Sequence, residues 1–240
     1  MHIGKVFLNW NKQMKFFIGW DSREEIAYEV AKRSLLDKTS IDIEVIPIKQ
    51  YEMRARNLYW RDHDPLSSTE FSFTRFLTPY LAGYEGWAVF CDCDFLFRHD
   101  VAGLLDYVDG EKAVFVVKHN YNPPEKVKMD GAVQTQYLRK NWSSFMLINC
   151  AHPSVKKLTV ESVNQMTGMY LHRFEWLKNK DIGELPIAYN YLEGWHDKND
   201  CPNPIAVHFT RGGPWFRDYM HVEYGEEWID IARKVDHARI

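Results

Sequence analysis

At 240 residues the chain is long enough for one large domain or two small ones. Apolar residues make up 45% and aromatics 15%, enough for a substantial core, and a formal net charge of −3 gives no electrostatic reason to expect nucleic acid or an anionic membrane as partner. No apolar run approaches the ~20 residues that span a bilayer. The sequence does not open on a cationic region followed by a long apolar stretch, so the expectation is a chain without a secretory signal. The four cysteines (Cys91, Cys93, Cys150, Cys201) lack zinc-site spacing, and Cys91 and Cys93 read as small core residues. That usage fits a reducing cytoplasm.

Residues 1 to 13 precede any pattern, and no function is assigned to them. Lys15 to Trp20 reads as a buried strand and Asp21-Ser22 as the turn after it. Ser22 and Glu25 have capping-box spacing for a helix from about Arg23 to Lys38, whose Ile26, Ala27, Val30, Ala31, Ser34 and Leu35 recur at helical spacing. Ile41 to Ile48 alternates like a strand. This β-α-β opening predicts an α/β fold of the nucleotide-binding type. Tyr51 to Ser68 has no clear period and reads as a loop; a helix is expected from about Thr69 to Leu81. Ala113 to Val117 and Ser144 to Asn149 read as strands, His119 to Gly131 as an excursion around Pro123-Pro124, and Val155 to Met166 as a helix. Ala206 to Phe209 is a final short strand, followed by the glycine-rich loop Thr210 to Trp215 and an amphipathic helix from about Glu226. Without repeat or linker, a single domain over 1–240 is expected. It divides at about residue 110 into two halves, about 14–110 and about 111–225, followed by the helix 226–240.

Asp92-Cys93-Asp94 sits between the apolar runs Trp87 to Cys91 and Phe95 to Phe97. Carboxylates in so hydrophobic a stretch cost free energy unless compensated. Residues i and i+2 of an extended segment share a face, so at a strand end both acids can meet one divalent cation. Such a metal beside a nucleotide-binding sheet suggests chemistry on a sugar nucleotide. His208, in a short apolar strand, is either a satisfied core residue or a third ligand; an imidazole favours Mn²⁺ over Mg²⁺. Arg211-Gly212-Gly213 is either an ordinary turn or an anion-binding loop with backbone amides and a guanidinium fork. Arg75, among Phe71, Phe73, Phe76 and Leu77, either snorkels to the surface or reaches a phosphate or a carboxylate.

These pieces, in this order, resemble the glycogenin-like glycosyltransferases of family 8, which have the GT-A fold: a Rossmann-like mixed sheet flanked by helices. The similarity is carried by Phe90-Cys91-Asp92-Cys93-Asp94, by Asn141 to Asn149, by Leu185-Pro186-Ile187-Ala188-Tyr189-Asn190, and by Val207 to Trp215. The resemblance implies a retaining, hexosyl-type transferase that uses a nucleotide sugar, usually a UDP-sugar, with Mn²⁺ (or Mg²⁺) held by Asp92, Asp94 and His208. It sets Arg75 near the donor and seats the nucleoside at the first strand end, Phe17, Gly19, Trp20 and Asp21. Cys93, Arg211, Gly212 and Gly213 then belong to the donor site, and Tyr189 and Asn190 lie on its sugar side. The acceptor is a saccharide or another hydroxyl compound.

Two positions depart from the family. Its lysine before Pro-Trp is Gly213 here, with Arg211 as the substitute. Its Asp-Gln pair has no clean match: Asn164-Gln165 is the nearest, which nominates Gln165 as a catalytic residue beside Asp92, Asp94 and Arg75, and Asp181 or Glu184 as an alternative carboxylate. The tryptophans, Trp60, Trp176, Trp195 and Trp215 among them, are mostly core or lid residues, with one or two near a sugar. Tyr170 to Trp176 either packs an aromatic face inward or lines an acceptor site. Loops 51–68 and 119–140 are where acceptor contacts are expected. Rival readings are a sugar-phosphate nucleotidyltransferase, whose glycine-rich loop after the first strand is missing here, and a non-catalytic sugar- or nucleotide-binding relative.

Overall fold

A computed structural model describes residues 13–62, 64, 67–108, 110–121 and 138–237. Its main sheet has six strands: β1 (Met14–Trp20), β2 (Ile43–Lys49), β3 (Trp87–Cys91), β5 (Val114–Val116), β6 (Phe145–Asn149) and β7 (Ile182–Glu184). They run in the order β2-β1-β3-β6-β5-β7. β1 is parallel to β2 and β3, β6 is antiparallel to β3 and β5, and β7 is parallel to β5, which makes the sheet mixed. A smaller sheet of β4 (Phe95–Phe97), β9 (Ala206–His208) and β8 (Tyr191–Leu192) stands beside it. Pro47 has no amide proton to give a ladder, and it lies in β2, an edge strand. β3 and β6, in the middle, are buried at every residue, as continuous apolar runs should be.

Helix α1 (Glu25–Lys38) covers this framework with two faces. Tyr28, Ala31 and Leu35 enter the main core. Ala27 and Val30 join Leu96, Tyr191, Val207 and Phe209 of the small sheet and Trp228 of α6 (Gly225–His237) in a second cluster. Ser34 ties helix to strand, its Oγ accepting from the Phe97 amide at 3.0 Å. The short helices α2 (Gln50–Ala55), α3 (Thr78–Leu81), α4 (Val160–Gln165) and α5 (Gly168–His172) lie in the connections.

Four local expectations are corrected. The capping box does not form: Ser22 donates to Glu70, α1 has Glu24 at its N-cap, and Asp21 takes over, accepting from the Arg23 amide at 3.0 Å. The segment 51–68 is not all loop, because Gln50–Ala55 is helical around the buried Met53. The helix expected over 69–81 is broken. Pro79 has no N–H for the carbonyl of Arg75, which accepts instead from Thr78 Oγ1 at 2.8 Å, so a 3-10 turn (Thr74–Leu77) precedes α3. The helix expected over 155–166 restarts as α4 at Thr159, whose extended backbone and side chain cap the Ser162 amide. Residues 1–12 and most of the proline-containing excursion lie outside the described residues.

Gly19 illustrates how tightly the end of β1 is packed. A Cβ built there falls 2.5 Å from the ring of Phe71, which is itself buried. Gly19→Ala is expected to destabilise the protein by about 1–3 kcal/mol through overpacking. Urea unfolding tests this: the midpoint should fall, and an unchanged midpoint would show that Phe71 yields freely.

Candidate active site

The strand β3 ends at Cys91, and three residues carry the chain into β4 of the other sheet. Asp92 and Asp94 therefore sit at the seam between the sheets. The register of the small sheet sets Phe95 opposite His208, and the two rings stack at 4.6 Å with 15° between planes. This fixes the imidazole beside the acids: ligand atoms of Asp92, Asp94 and His208 all lie within 4.8 Å of one another.

Each member is held from behind. Asp92 Oδ1 is 2.7 Å from Arg75 Nη1. That guanidinium is 5% exposed, lies over the rings of Phe71 and Phe90, and donates to the Ser143 carbonyl at 3.0 Å. Arg75 thus reaches a carboxylate and does not snorkel. His208 Nδ1 is 3.0 Å from Asn190 Oδ1. The amide of Asn190 is oriented in turn, since its Nδ2 donates to Ser144 Oγ at 2.9 Å and Ser144 Oγ donates to the Asn141 carbonyl at 2.7 Å. Asn141 has φ 64°, a left-handed conformation that asparagine tolerates.

The network assigns the tautomer. Asn190 presents an oxygen, so Nδ1 carries the proton, and Nε2 of a neutral ring has a lone pair 3.2 Å from Asp94 Oδ2. Two acceptors at that distance require a positive charge between or on them. A proton on Nε2 answers this; so does a divalent cation. Asp94 Oδ1 is also buried with no hydrogen-bond partner. Burial opposes ionisation of Asp94, but His208, with lesser help from Arg75, holds its carboxyl below the ordinary value. Two oxygen donors and one imidazole, with the far nitrogen anchored, fit a divalent ion.

The triad forms the floor of a cavity of about 430 Å³, the size range of small-molecule sites. Arg75, Arg211 and Trp215 also line it. Other nominated residues do not. Phe17 and Cys93 are core side chains, and Gly19 lies under Phe71. Asp21 is wholly buried and used internally, accepting from the Arg23 side chain and the Glu70 amide. Trp20 packs against Tyr51 and Lys49. Tyr189 is buried beneath Gly103, and Asn190 acts through His208. Gly212 has φ 137°, and a Cβ on Gly213 would collide with the ring of Trp215, so this pair lets the indole fold back. Arg211 Nη1 donates to the Gly194 carbonyl at 2.9 Å. Gln165 is exposed on α4 and bonds Glu161, whereas Asn164 holds the Trp60 amide and Leu58 carbonyl. Asp181 and Glu184 are not in this wall, and Glu184 pairs with Lys118 at 3.7 Å.

Several wall residues carried no readable signal. Lys140 is 6% exposed and brings a cation to the cavity. Thr167, Gly168, Met169 and His172 supply the wall at α5, within a segment that otherwise packs Leu171, Phe174 and Trp176 inward. Glu24 enters from the start of α1. Burial, then the charges of Asp94 and Asp21, push its carboxyl up to about 7.

No protein-family model matches the chain. Protein CDI of Arabidopsis thaliana is 49% identical over 222 residues, which cover 91% of this chain and 86% of that protein. The chain belongs to the Protein CDI family. Among solved structures, the bifunctional glycosyltransferase WbbM is similar with a TM-score of 0.58 at 17% identity, over 96% of this chain and 50% of WbbM. Glycosyltransferase GlyE of Streptococcus pneumoniae gives 0.59 at 16%, over 92% of this chain and 60% of GlyE. The chain thus spans about half to three-fifths of those two. The galactosyltransferase LgtC, solved with donor and acceptor sugar analogues, gives 0.56 at 13%, over 92% of this chain and 96% of LgtC. This member of the Protein CDI family therefore has the GT-A glycosyltransferase fold. Among the described residues, no helix is long and apolar enough to cross a membrane.

The carboxyl of Glu24 has a pH consequence in metal-free protein. A pKa raised from 4.5 to about 7 adds to stability below about pH 4.5, and that contribution is lost as pH rises through 7. In EDTA, Glu24→Gln should raise the melting temperature relative to wild type more at pH 8 than at pH 5. An equal difference at both pH values would contradict the buried-acid assignment.

Proposed function

We propose that this protein is a metal-dependent glycosyltransferase of the hexosyl type that moves a sugar from a nucleotide sugar, a UDP-sugar, to a hydroxyl acceptor with retention. The observation that carries this is the Asp94–His208 contact, where an imidazole with its other nitrogen committed to Asn190 turns a lone pair toward a buried carboxylate. The GT-A fold supports the same reading, as do the four ordered motifs that resemble those of the glycogenin-like family. In this proposal the protein is one domain, residues 14–110 bind donor, 111–225 face acceptor, and the enzyme works in the cytoplasm.

Asp92, Asp94 and His208 would hold Mn²⁺, or Mg²⁺. When bound, such an ion stabilises as a Lewis acid the charge that develops on a departing diphosphate. The remaining work belongs to the chain. Arg75 fixes one oxygen of Asp92, which holds that carboxylate in the cavity wall. Asn190 fixes the His208 tautomer, leaving Nε2 as the ligand atom. Beside Arg75, Lys140 and Arg211 bring further cations to the wall, and they take over from the family's absent lysine in meeting the diphosphate oxygens. Their positions are preorganised by packing, Lys140 against Tyr121 and Arg211 against Gly194. The nucleoside approaches the end of β1, where Trp20 is the partly exposed aromatic surface. The sugar then faces Thr167 to Met169 and His172.

The test is release of UDP from a panel of UDP-sugars in the presence of Mn²⁺. Asp92→Asn should lower turnover at least about 100-fold, the scale for loss of preorganised charge at a leaving group, with its circular dichroism unchanged. Undiminished turnover in the mutant would contradict the assignment. UDP binding that needs Mn²⁺ without turnover of any donor would make the protein a non-catalytic relative.

A further inference from the structure

A second cleft, of about 570 Å³, shares no wall residue with the first. The chemistry of its walls lies in His119, Asn120, Trp195 and His196. Trp195 offers an indole that is 37% exposed and is steadied by Tyr121, the two rings 4.8 Å apart with 71° between planes. His119 is 7% exposed, and both its ring nitrogens are buried without a hydrogen-bond partner. His196 stacks on His119 at 5.3 Å. Its Nδ1 accepts from the Leu192 amide at 2.9 Å, so its Nε2 carries the proton and is a donor.

Charge narrows the ligand class. Lys118 and Glu184 face each other at 3.7 Å and offset one another. Burial and the neighbouring histidines His196 and His208 hold His119 well below its ordinary pKa, so its ring is neutral. Burial lowers His196 to about 4, leaving it neutral as well. The cleft therefore has nothing to attract a net anion or cation. A wholly apolar ligand would cover the polar atoms of His119, Asn120 and His196 without meeting them, which is unfavourable for each group so buried. A neutral imidazole wants one acceptor and one donor, and a hydroxyl is both. A ring with an apolar C–H face and several hydroxyls satisfies the indole and the imidazoles together.

We infer that this cleft is a saccharide subsite, in which a pyranose lies against Trp195 and its hydroxyls meet His119, Asn120 and His196. The inference rests on the glycosyltransferase reading for its role, which is to hold a non-reacting sugar unit of the acceptor. His196 accepts from the amide of Leu192, and Leu192 lies opposite His208 in the β8–β9 register, so the subsite adjoins the layer that carries the triad. This assigns an oligosaccharide or glycoside, rather than a peptide or a lipid, as the acceptor class.

Saturation-transfer NMR on the whole chain tests it, with methyl glycosides of glucose, galactose, mannose and xylose, and with maltose and cellobiose, each with UDP and Mn²⁺ present. Wild type should bind at least one of them. Trp195→Ala should weaken that binding about tenfold or more. His119→Phe keeps a ring but removes the unpaired nitrogens; it should fold with an equal or higher melting temperature and lose the binding. In both variants the stabilisation by UDP with Mn²⁺ should persist. Failure of every saccharide to bind wild type would overturn the inference and leave His119 to ordered water, as would unchanged binding in both variants. Saccharide binding without any UDP response would leave the subsite standing and overturn the donor-site reading instead.

Discussion

Two carboxylates at a seam between apolar layers are the constraint around which this protein is arranged. Isolated charges in such a setting are too costly to persist, and each here has a stated partner. Arg75 answers Asp92, and His208 answers Asp94. The partners are buried in their turn, so the demand propagates outward: Arg75 needs the Ser143 carbonyl and two aromatic faces, and His208 needs Asn190, which needs Ser144. Breaking one buried pair by removing a partner is expensive, because the other charge is left behind.

The topology explains why these groups meet. β3 belongs to the main sheet and β4 to the small one, and the acidic triplet is the crossing between them. The strands that answer it come from late in the chain: β6 beside β3, and β9 beside β4. The residues between β6 and β9 supply Asn190 and the wall at α5. Backbone hydrogen bonds, donated by the Asp92 amide to the Ser144 carbonyl and by the Phe209 amide to the Asp94 carbonyl, both at 2.9 Å, close the seam on each side. A shift of one residue in the β4–β9 register would turn His208 away from Asp94.

Much of this was legible in the sequence, for identifiable reasons. The triplet stood out because acids interrupt an apolar run, and the strands β1, β3 and β6 because such runs of five to seven residues suit buried strands. His208 was legible only as one of two alternatives, since nothing local tells a core histidine from a ligand. The helices drawn over 69–81 and 155–166 overran because apolar spacing continued across Pro79 and Thr159, where backbone chemistry stops it. Lys140, Glu24 and the Thr167–Met169 wall were invisible. Their role comes from long-range placement, and a lysine or glutamate at a cavity reads in sequence like one at the surface. Conversely Gln165 was nominated by its motif-like position, while the structure turns it to solvent and buries Asn164.

The most direct test of the central claim is a titration of Mn²⁺ followed by its electron paramagnetic resonance signal, with wild type and Asp94→Ala compared. If Asp92, Asp94 and His208 form a divalent-cation site, free Mn²⁺ should be depleted by wild type, more so with UDP present, and left undepleted by the variant. Equal depletion by both proteins, or none by wild type with or without UDP, would contradict it and leave a proton to bridge His208 and Asp94.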